Sequence, residues 1–136
     1  MSTTNEPQPH ALVVDDDETF VDQVTHAMHQ MGFTVETSSD GLDALKRCQS
    51  RRFDIVVCDV RMPRLSGLSF LGNLARTAEP IPKVIMVSAL DDNSIRRQAL
   101  ATGASAYLVK PVALQVLKGA IDAALGKTGC QHWRGS

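Results

Sequence analysis

Short apolar runs recur along the chain and have the character of strands. Three of them, at 11–14, 55–58 and 84–87, are uninterrupted and rich in β-branched residues. Strands covered on both faces of a parallel sheet have this pattern. The run at 106–109 is more mixed, and residues 34–38 alternate between polar and apolar. We therefore predict three central strands and two edge strands.

The segments between these runs carry apolar residues at spacings of three or four, which predicts amphipathic helices. Gly32, Gly103 and Gly126 stand where a helix can end. The five apolar stripes are Phe20, Val24, Met28 and Met31; Ala44, Leu45 and Cys48; Leu68, Leu71 and Leu74; Ile95, Ala99 and Leu100; and Leu114, Leu117, Ile121 and Leu125.

Strand and helix therefore alternate five times, which predicts an α/β fold joined by right-handed crossovers. With the three fully apolar strands in the middle, the solution is a doubly wound, five-stranded parallel sheet of order 2-1-3-4-5. Five helices cover its two faces, which gives a three-layer sandwich.

The length of 136 residues and the apolar fraction of 43% suit one packed domain. We assign residues 11–125 to it, residues 1–10 to a disordered or loosely ordered N-terminus, and residues 126–136 to a tail or truncated linker. Every apolar run is far shorter than the roughly 20 residues that span a bilayer. The polar N-terminus lacks the apolar stretch of a signal peptide. We expect a cytoplasmic domain without a membrane partner.

The charges balance, since Lys and Arg total 14, Asp and Glu total 15, and the formal net charge is −1. This balance argues against a basic surface for nucleic acid. The three cysteines show no zinc-ligand spacing, and Cys58 ends an apolar run. We therefore expect no direct nucleic-acid binding by this domain and a buried Cys58 that behaves as a small hydrophobe.

Reactive side chains follow four of the predicted strands. Three aspartates at 15–17 follow the first strand, Asp59 the third, Ser88 the fourth and Lys110 the fifth. Because the carboxyl ends of parallel strands meet at one edge of the sheet, these groups are expected to converge there. Lys110 alone does not offset the repulsion among the carboxylates. The pattern predicts a site for a hard divalent cation, Mg²⁺ or Mn²⁺.

Other phosphate-binding motifs do not fit the chain. The turn after the first strand is acidic where a dinucleotide or P-loop site needs glycines, and Asn73 stands where a P-loop needs lysine after Gly67 and Gly72. An aspartate beside Mg²⁺ and lysine can instead act as a nucleophile that becomes an acyl phosphate.

Over residues 11–125 the chain resembles the CheY-like receiver domain of bacterial two-component response regulators. The resemblance lies in four motifs at strand ends: the acidic opening at 13–17, Asp59 followed by Met-Pro and glycine through residue 67, the Ser-Ala pair at 88–89, and the closing motif at 103–111. It implies a flavodoxin-like fold.

The resemblance also implies that Asp59 accepts a phosphoryl group from the phosphohistidine of a histidine kinase or from a small phosphodonor. Asp16, Asp59 and the backbone carbonyl of Arg61 are expected to bind Mg²⁺ directly, and Asp15 through water. Lys110 is expected to pair with a phosphoryl oxygen, aimed by a cis bond to Pro111.

By the same resemblance Ser88 and Tyr107 form a switch, in which the hydroxyl moves toward the phosphoryl group and the aromatic ring turns inward. The partner surface is the face of the fourth helix, fifth strand and fifth helix, with Ile95, Tyr107 and Lys118. Such a domain is a signalling protein and not an enzyme, except that it catalyses its own phosphorylation and dephosphorylation. We expect a monomer or a weak phosphorylation-dependent dimer.

Alternatives remain for the output. We favour a stand-alone signalling or phosphorelay module that meets a histidine kinase or phosphotransfer protein and a downstream partner. The second interpretation is the N-terminal receiver of a longer regulator whose output domain is missing, and the third a pseudo-receiver that binds partners without phosphorylation. Ser105 and Ala106 stand where winged-helix regulators carry acidic residues, which puts their type of dimer in doubt. An aspartyl-phosphate hydrolase is disfavoured because Arg61 replaces the second aspartate that its chemistry needs.

Overall fold

The computed structural model describes residues 8–126, in which strands and helices alternate as the hydrophobic pattern predicts. The strands are β1 (His10–Val14), β2 (Thr34–Ser38), β3 (Ile55–Asp59), β4 (Lys83–Ser88) and β5 (Ala106–Val109). The helices are α1 (Glu18–Gln30), α2 (Gly41–Ser50), α3 (Gly67–Thr77), α4 (Asn93–Thr102) and α5 (Leu114–Ala124).

The strands form one parallel sheet in the order β2-β1-β3-β4-β5, which confirms the predicted topology and both edge strands. Every residue of β3 is buried, as a central strand of a parallel sheet requires. Val14 is in register with Cys58, and Asp59 with Val87. The carboxyl ends of these strands are therefore level, so the residues that follow them meet at one edge.

Successive residues of the strands point into two separate cores. Val56 and Cys58 pack beneath α2, α3 and α4, whereas Ile55 and Val57 pack beneath α1 and α5. Burial of each large apolar side chain contributes roughly 1.5–3 kcal/mol. These two layers fix the sheet and hold its carboxyl edge in place. Cys58 is fully buried, as its sequence context predicts.

Side-chain caps set the start of the helices that follow the strand ends. Asp17 accepts hydrogen bonds from two backbone N–H groups in the first turn of α1. Asp40 and Asp92 likewise accept hydrogen bonds from backbone N–H groups in the first turns of α2 and α4. Each cap turns the chain back within a few residues of a strand. The starts of α1, α2 and α4 are in this way fixed within five residues of the strands that precede them.

Two residues of the predicted apolar stripes are exposed to solvent. Leu100 of α4 is 44% exposed and Leu114 of α5 is 40% exposed. Leu100 follows the fully buried Ala99, and the 100° turn to the next residue of a helix carries it away from the sheet. The stripe that contacts the core is therefore narrower in α4 than the sequence suggests.

The first strand begins at His10, within the range assigned to a loosely ordered N-terminus. The His10 N–H donates to Asp54 at 2.8 Å, and the Pro9 carbonyl accepts from the Thr34 N–H at 2.9 Å. Residues 9 and 10 are thus part of the folded domain, because hydrogen bonds join them to Thr34 and Asp54. The rest of that range and the tail at 127–136 lie outside the described residues. Among residues 8–126, no helix has the length and apolar character needed to cross a bilayer.

Candidate functional site

Three carboxylates meet at the carboxyl edge of the sheet, as predicted. Asp15 and Asp16 follow β1, Asp59 ends β3, and the three carboxylates each place an oxygen within 4.8 Å of the others. We call these three residues the aspartate cluster. Asp15 and Asp59 are buried, whereas Asp16 is exposed. The cluster therefore has a buried floor and one side open to solvent.

Lys110 is the positive partner of this cluster. Its Nζ lies 2.7 Å from Asp15 Oδ2 and 3.7 Å from Asp59 Oδ2, and the bond to Pro111 is cis, as the resemblance implies. Burial lowers the pKa of Lys110, but the hydrogen bond to Asp15 and the charges of both aspartates outweigh it, so the net effect raises that pKa. The ammonium stays charged and is bound more closely to Asp15 than to Asp59.

The carboxylate of Asp59 is short of compensating charge. Burial raises its pKa first, and the negative charge of Asp15 and then of Asp16 adds to the effect. Lys110 and the Arg61 N–H, which donates to Asp59 Oδ1 at 3.2 Å, only partly oppose it. Carboxylate oxygens are the hard ligands that Mg²⁺ or Mn²⁺ prefers, and the three aspartates supply them here.

Gly67 allows the chain to close tightly behind Asp59. A Cβ at this position would collide with the backbone carbonyl of Asp59 and come within 2.8 Å of Val60 Cα. The Gly67 N–H donates to the Val60 carbonyl at 2.7 Å. The loop after β3 therefore folds back on the strand end, and it carries Arg61 beside the carboxylate. Gly41 of α2 packs in a similar way against the Leu65 backbone of this loop.

The predicted switch residues are linked through one residue, Leu90. Ser88 is buried at the end of β4, and its Oγ accepts a hydrogen bond from the Leu90 N–H at 2.9 Å. The Tyr107 hydroxyl donates to the Leu90 carbonyl at 2.7 Å. The two hydroxyl-bearing side chains therefore bond to the same loop residue from opposite sides.

Tyr107 is buried, with only 5% of the residue exposed. The Arg96 guanidinium lies 5.0 Å from the ring centroid, and Arg96 also donates to the Tyr107 carbonyl at 3.3 Å. Ile95 and Lys118 are partly buried. The contact with Arg96 and the hydrogen bond to Leu90 hold the Tyr107 side chain in a buried position. Tyr107 therefore adds little exposed area to the predicted partner surface in this structure.

Sequence reasoning missed the role of two side chains near the site. The helical pattern indicates only that Phe20 belongs to the apolar stripe of α1, yet Lys110 Nζ lies 4.5 Å from the centroid of its ring. No sequence pattern indicates the contact of Arg96 with Tyr107. The position of Phe20 in the first turn after the acidic loop indicates that it lies near the site. That its ring faces Lys110 can be recognised only from the folded structure.

Comparison with known proteins gives a consistent result. The family model described as the response regulator receiver domain matches residues 11–122. Response regulator MprA of Mycobacterium ulcerans is 39% identical over 117 residues, which cover 86% of this chain and 50% of that protein. The chain thus spans about half the length of the curated relatives it matches.

Solved structures agree in fold. A CheY-like response regulator receiver domain protein from Methanospirillum hungatei has a TM-score of 0.81 at 27% identity, covering 88% of this chain and 95% of that one. A response regulator receiver domain protein from Clostridium thermocellum has a TM-score of 0.79 at 30% identity, with coverage of 87% and 94%. With its flavodoxin-like sheet and its strand-end motifs, this chain belongs to the response regulator receiver domain family of two-component systems.

Proposed function

We propose that Asp59 accepts a phosphoryl group from the phosphohistidine of a histidine kinase or phosphotransfer protein, or from a small phosphodonor, in a Mg²⁺-dependent reaction. The observation that carries the proposal is the buried, poorly compensated Asp59 carboxylate beside Asp15, Asp16 and Lys110. A bound cation would stabilise the ionised form of this carboxylate and offset the charge of an incoming phosphoryl group. Asp59 lies at the carboxyl end of β3, where the aspartate cluster is open to solvent on one side.

In the proposed step an Asp59 carboxylate oxygen attacks phosphorus and forms a P–O bond. The donor imidazole carries a proton on its other ring nitrogen, so when the P–N bond breaks and the nitrogen keeps the electron pair, neutral histidine leaves. From acetyl phosphate the P–O bond breaks and acetate leaves. Charge on the transferred oxygens must be offset, since positioning and electrostatics supply most of the catalysis in phosphoryl transfer.

The cation site is proposed to use Asp16, Asp59 and the Arg61 carbonyl directly and Asp15 through water. A bound Mg²⁺ or Mn²⁺ supplies charge neutralisation for the phosphoryl oxygens. Lys110, already within 3.7 Å of Asp59, pairs with one of these oxygens. The protein in this way catalyses its own phosphorylation and dephosphorylation and turns over no other substrate.

The switch is proposed to run from Ser88 to Tyr107. A phosphoryl oxygen on Asp59 attracts the Ser88 hydroxyl, which now accepts from the Leu90 N–H. Movement of Leu90 changes the hydrogen bond that its carbonyl accepts from Tyr107. Phosphorylation then shifts a population between two packings of the loop, and partner binding at α4, β5 and α5 follows.

The partners are proposed by class. A histidine kinase or phosphotransfer protein delivers the phosphoryl group in the cytoplasm, and a downstream protein reads it through a surface that includes Ile95 and Lys118. The domain itself acts as a monomer or a weak phosphorylation-dependent dimer. The roughly twofold greater length of the curated relatives supports a second candidate, in which the reader is an output domain of a longer regulator.

The test is intact-mass measurement after incubation with Mg²⁺ and phosphoramidate or acetyl phosphate. We expect a single phosphoryl adduct on the wild-type chain and none on Asp59→Asn. An adduct on both proteins would place the acceptor elsewhere. If neither protein gains mass while both remain folded, the pseudo-receiver interpretation replaces this one.

A further inference from the structure

The Lys110 ammonium has a third neighbour in addition to two carboxylates. Its Nζ lies 4.5 Å from the centroid of the Phe20 ring, within the range in which the electron-rich ring face attracts a cation. The Lys110 side chain is 19% exposed, so much of its hydration has been removed. Phe20 is partly buried and packs against the core beneath α1 and α5, which restrains the position of its ring.

The two carboxylate partners of Lys110 are also the groups that a divalent cation needs. The 2.7 Å hydrogen bond goes to Asp15, whereas Asp59 is a full ångström farther away. A cation beside the aspartate cluster reduces the negative charge available to the ammonium. The Phe20 ring is uncharged and offers no metal ligand, so its attraction for Lys110 persists when that cation binds.

The surroundings of Lys110 give the ammonium an alternative position. A cavity of about 320 Å³ opens beside it, lined by Phe20, Pro111, Val112 and three residues of the α1 start, Asp17, Thr19 and Gln23. A lysine released from Asp15 could turn into this space and hydrate there. The Phe20 ring borders this cavity and also contacts the Lys110 ammonium, which pairs with the aspartate cluster.

We propose that Phe20 is a positioning residue for phosphoryl transfer. Its ring face keeps the Lys110 ammonium beside Asp59 after a divalent cation has weakened the contact with Asp15, so that Lys110 is in place to meet the phosphoryl oxygens. This inference depends on the proposed function of Asp59. The competing explanation is that Phe20 only fills the core, in which case any apolar residue of similar size serves equally.

The experiment compares Phe20→Leu, which keeps an apolar side chain, with Phe20→Tyr, which keeps the ring face. Phosphorylation by phosphoramidate with Mg²⁺ is followed by intact mass, and thermal unfolding verifies that each variant is folded. We expect Phe20→Leu to be roughly three- to tenfold slower than wild type and Phe20→Tyr to be close to it. Val35→Ala, which truncates another partly buried residue that packs against the same core, is the matched control and should retain the wild-type rate.

A second arm tests whether Phe20 acts through Lys110. In a Lys110→Ala background, Phe20→Leu should cause no further loss of rate, because the ammonium it positions is gone. If Phe20→Leu phosphorylates at the wild-type rate, or slows the Lys110→Ala protein by the same factor, the inference is wrong. Should Phe20→Leu prove unstable, Phe20→Met takes its place with the same expectations.

A third arm needs no phosphorylation. Protons of the Lys110 ε-methylene group near the ring face should resonate upfield in NMR spectra of the wild type, and this shift should persist at saturating Mg²⁺. It should vanish in Phe20→Leu. Loss of the shift on Mg²⁺ addition would overturn the inference, even for an active protein. If instead the wild type takes no phosphoryl group but keeps the shift with Mg²⁺, the proposed function has failed and the contact itself stands.

Discussion

Two clusters of charged side chains in this domain differ in how far their charges are balanced. At the edge of the sheet Glu36 and Asp43 face Arg47 and Arg51, a group we call the β2-edge cluster. Arg47 donates to both acids at 2.9 Å, and Arg51 donates to Glu36 at 2.8 Å. In the aspartate cluster three carboxylates lie together, and the ammonium of Lys110 pairs with two of them, Asp15 and Asp59.

The acids respond in opposite directions. The hydrogen bond from Arg51 is the main reason that the pKa of Glu36 is lowered, and the one from the Ser38 hydroxyl is the main reason for Asp43. The pKa of Asp59 is raised, chiefly by burial. The β2-edge cluster, in which the charges balance, joins α2 to β2 through its ion pairs. The aspartate cluster has excess negative charge, which a bound cation would neutralise. Three substitutions test this difference.

The largest expected effect comes from removing the ammonium that, within residues 8–126, pairs with the aspartate cluster. Lys110→Met leaves Asp15 and Asp59 without their positive partner, so we expect the free energy of unfolding at pH 7 to fall by about 2 kcal/mol. Urea unfolding measures it. Mg²⁺ should restore more stability to this variant than it adds to wild type, since the ammonium no longer competes for Asp15. Lys46→Met, exposed on α2, is the control, and an equal loss there would contradict the prediction.

A smaller change of opposite sign is expected at Asp59. Because its pKa is raised in the folded state, the folded chain holds a proton more readily than the unfolded one, and stability falls as pH rises through the interval above the ordinary value of 3.8. Asp59→Asn removes this penalty and should raise the free energy of unfolding at pH 7, without Mg²⁺, by on the order of 1 kcal/mol.

The pH and Mg²⁺ dependence provide the controls for Asp59→Asn. Its advantage over wild type should shrink as pH falls toward 3.8, and Mg²⁺ should stabilise wild type more than the variant. Thermal unfolding across pH, with and without Mg²⁺, records both. A variant less stable than wild type at pH 7 would mean that Lys110 fully compensates Asp59 and that the two clusters do not differ as described.

The smallest effect is expected in the balanced cluster. Glu36→Gln removes the charge that Arg47 and Arg51 share, and we expect a loss of less than about 1 kcal/mol because these groups are partly solvated. The pKa of Glu36 is lowered, so its contribution is present above the ordinary value of 4.5 and lost as pH falls below it. Urea unfolding at pH 7 in low and high salt checks this, since salt should reduce the difference. A gain in stability is the contrary result.

The fold was predictable from sequence because its signal is redundant. The three apolar runs that became β1, β3 and β4 each indicated a buried strand, and the helical stripes between them excluded a hairpin. The convergence of Asp15, Asp59 and Lys110 followed from the same argument, since the end of a parallel strand fixes where the next residue lies.

The contacts of individual side chains were not predictable. That Lys110 bonds to Asp15 more closely than to Asp59, and that it faces Phe20, depends on rotamers set by packing around it. Arg96 over Tyr107 is a contact between a helix and a strand at a distance of 11 in sequence, for which no periodicity exists. The burial of Leu100 could not be predicted for a similar reason. In the sequence, an apolar residue next to the buried stripe looks the same as one that belongs to it, yet Leu100 is exposed.

Leu90 joins the two hydroxyl-bearing residues by its main chain alone. Its N–H serves Ser88 and its carbonyl serves Tyr107. Those two groups exist in every residue except proline, which lacks the N–H. Any residue other than proline at position 90 can therefore keep both hydrogen bonds. The connection between the ends of β4 and β5 is made by the main chain, so the side chain at this position can vary without breaking it.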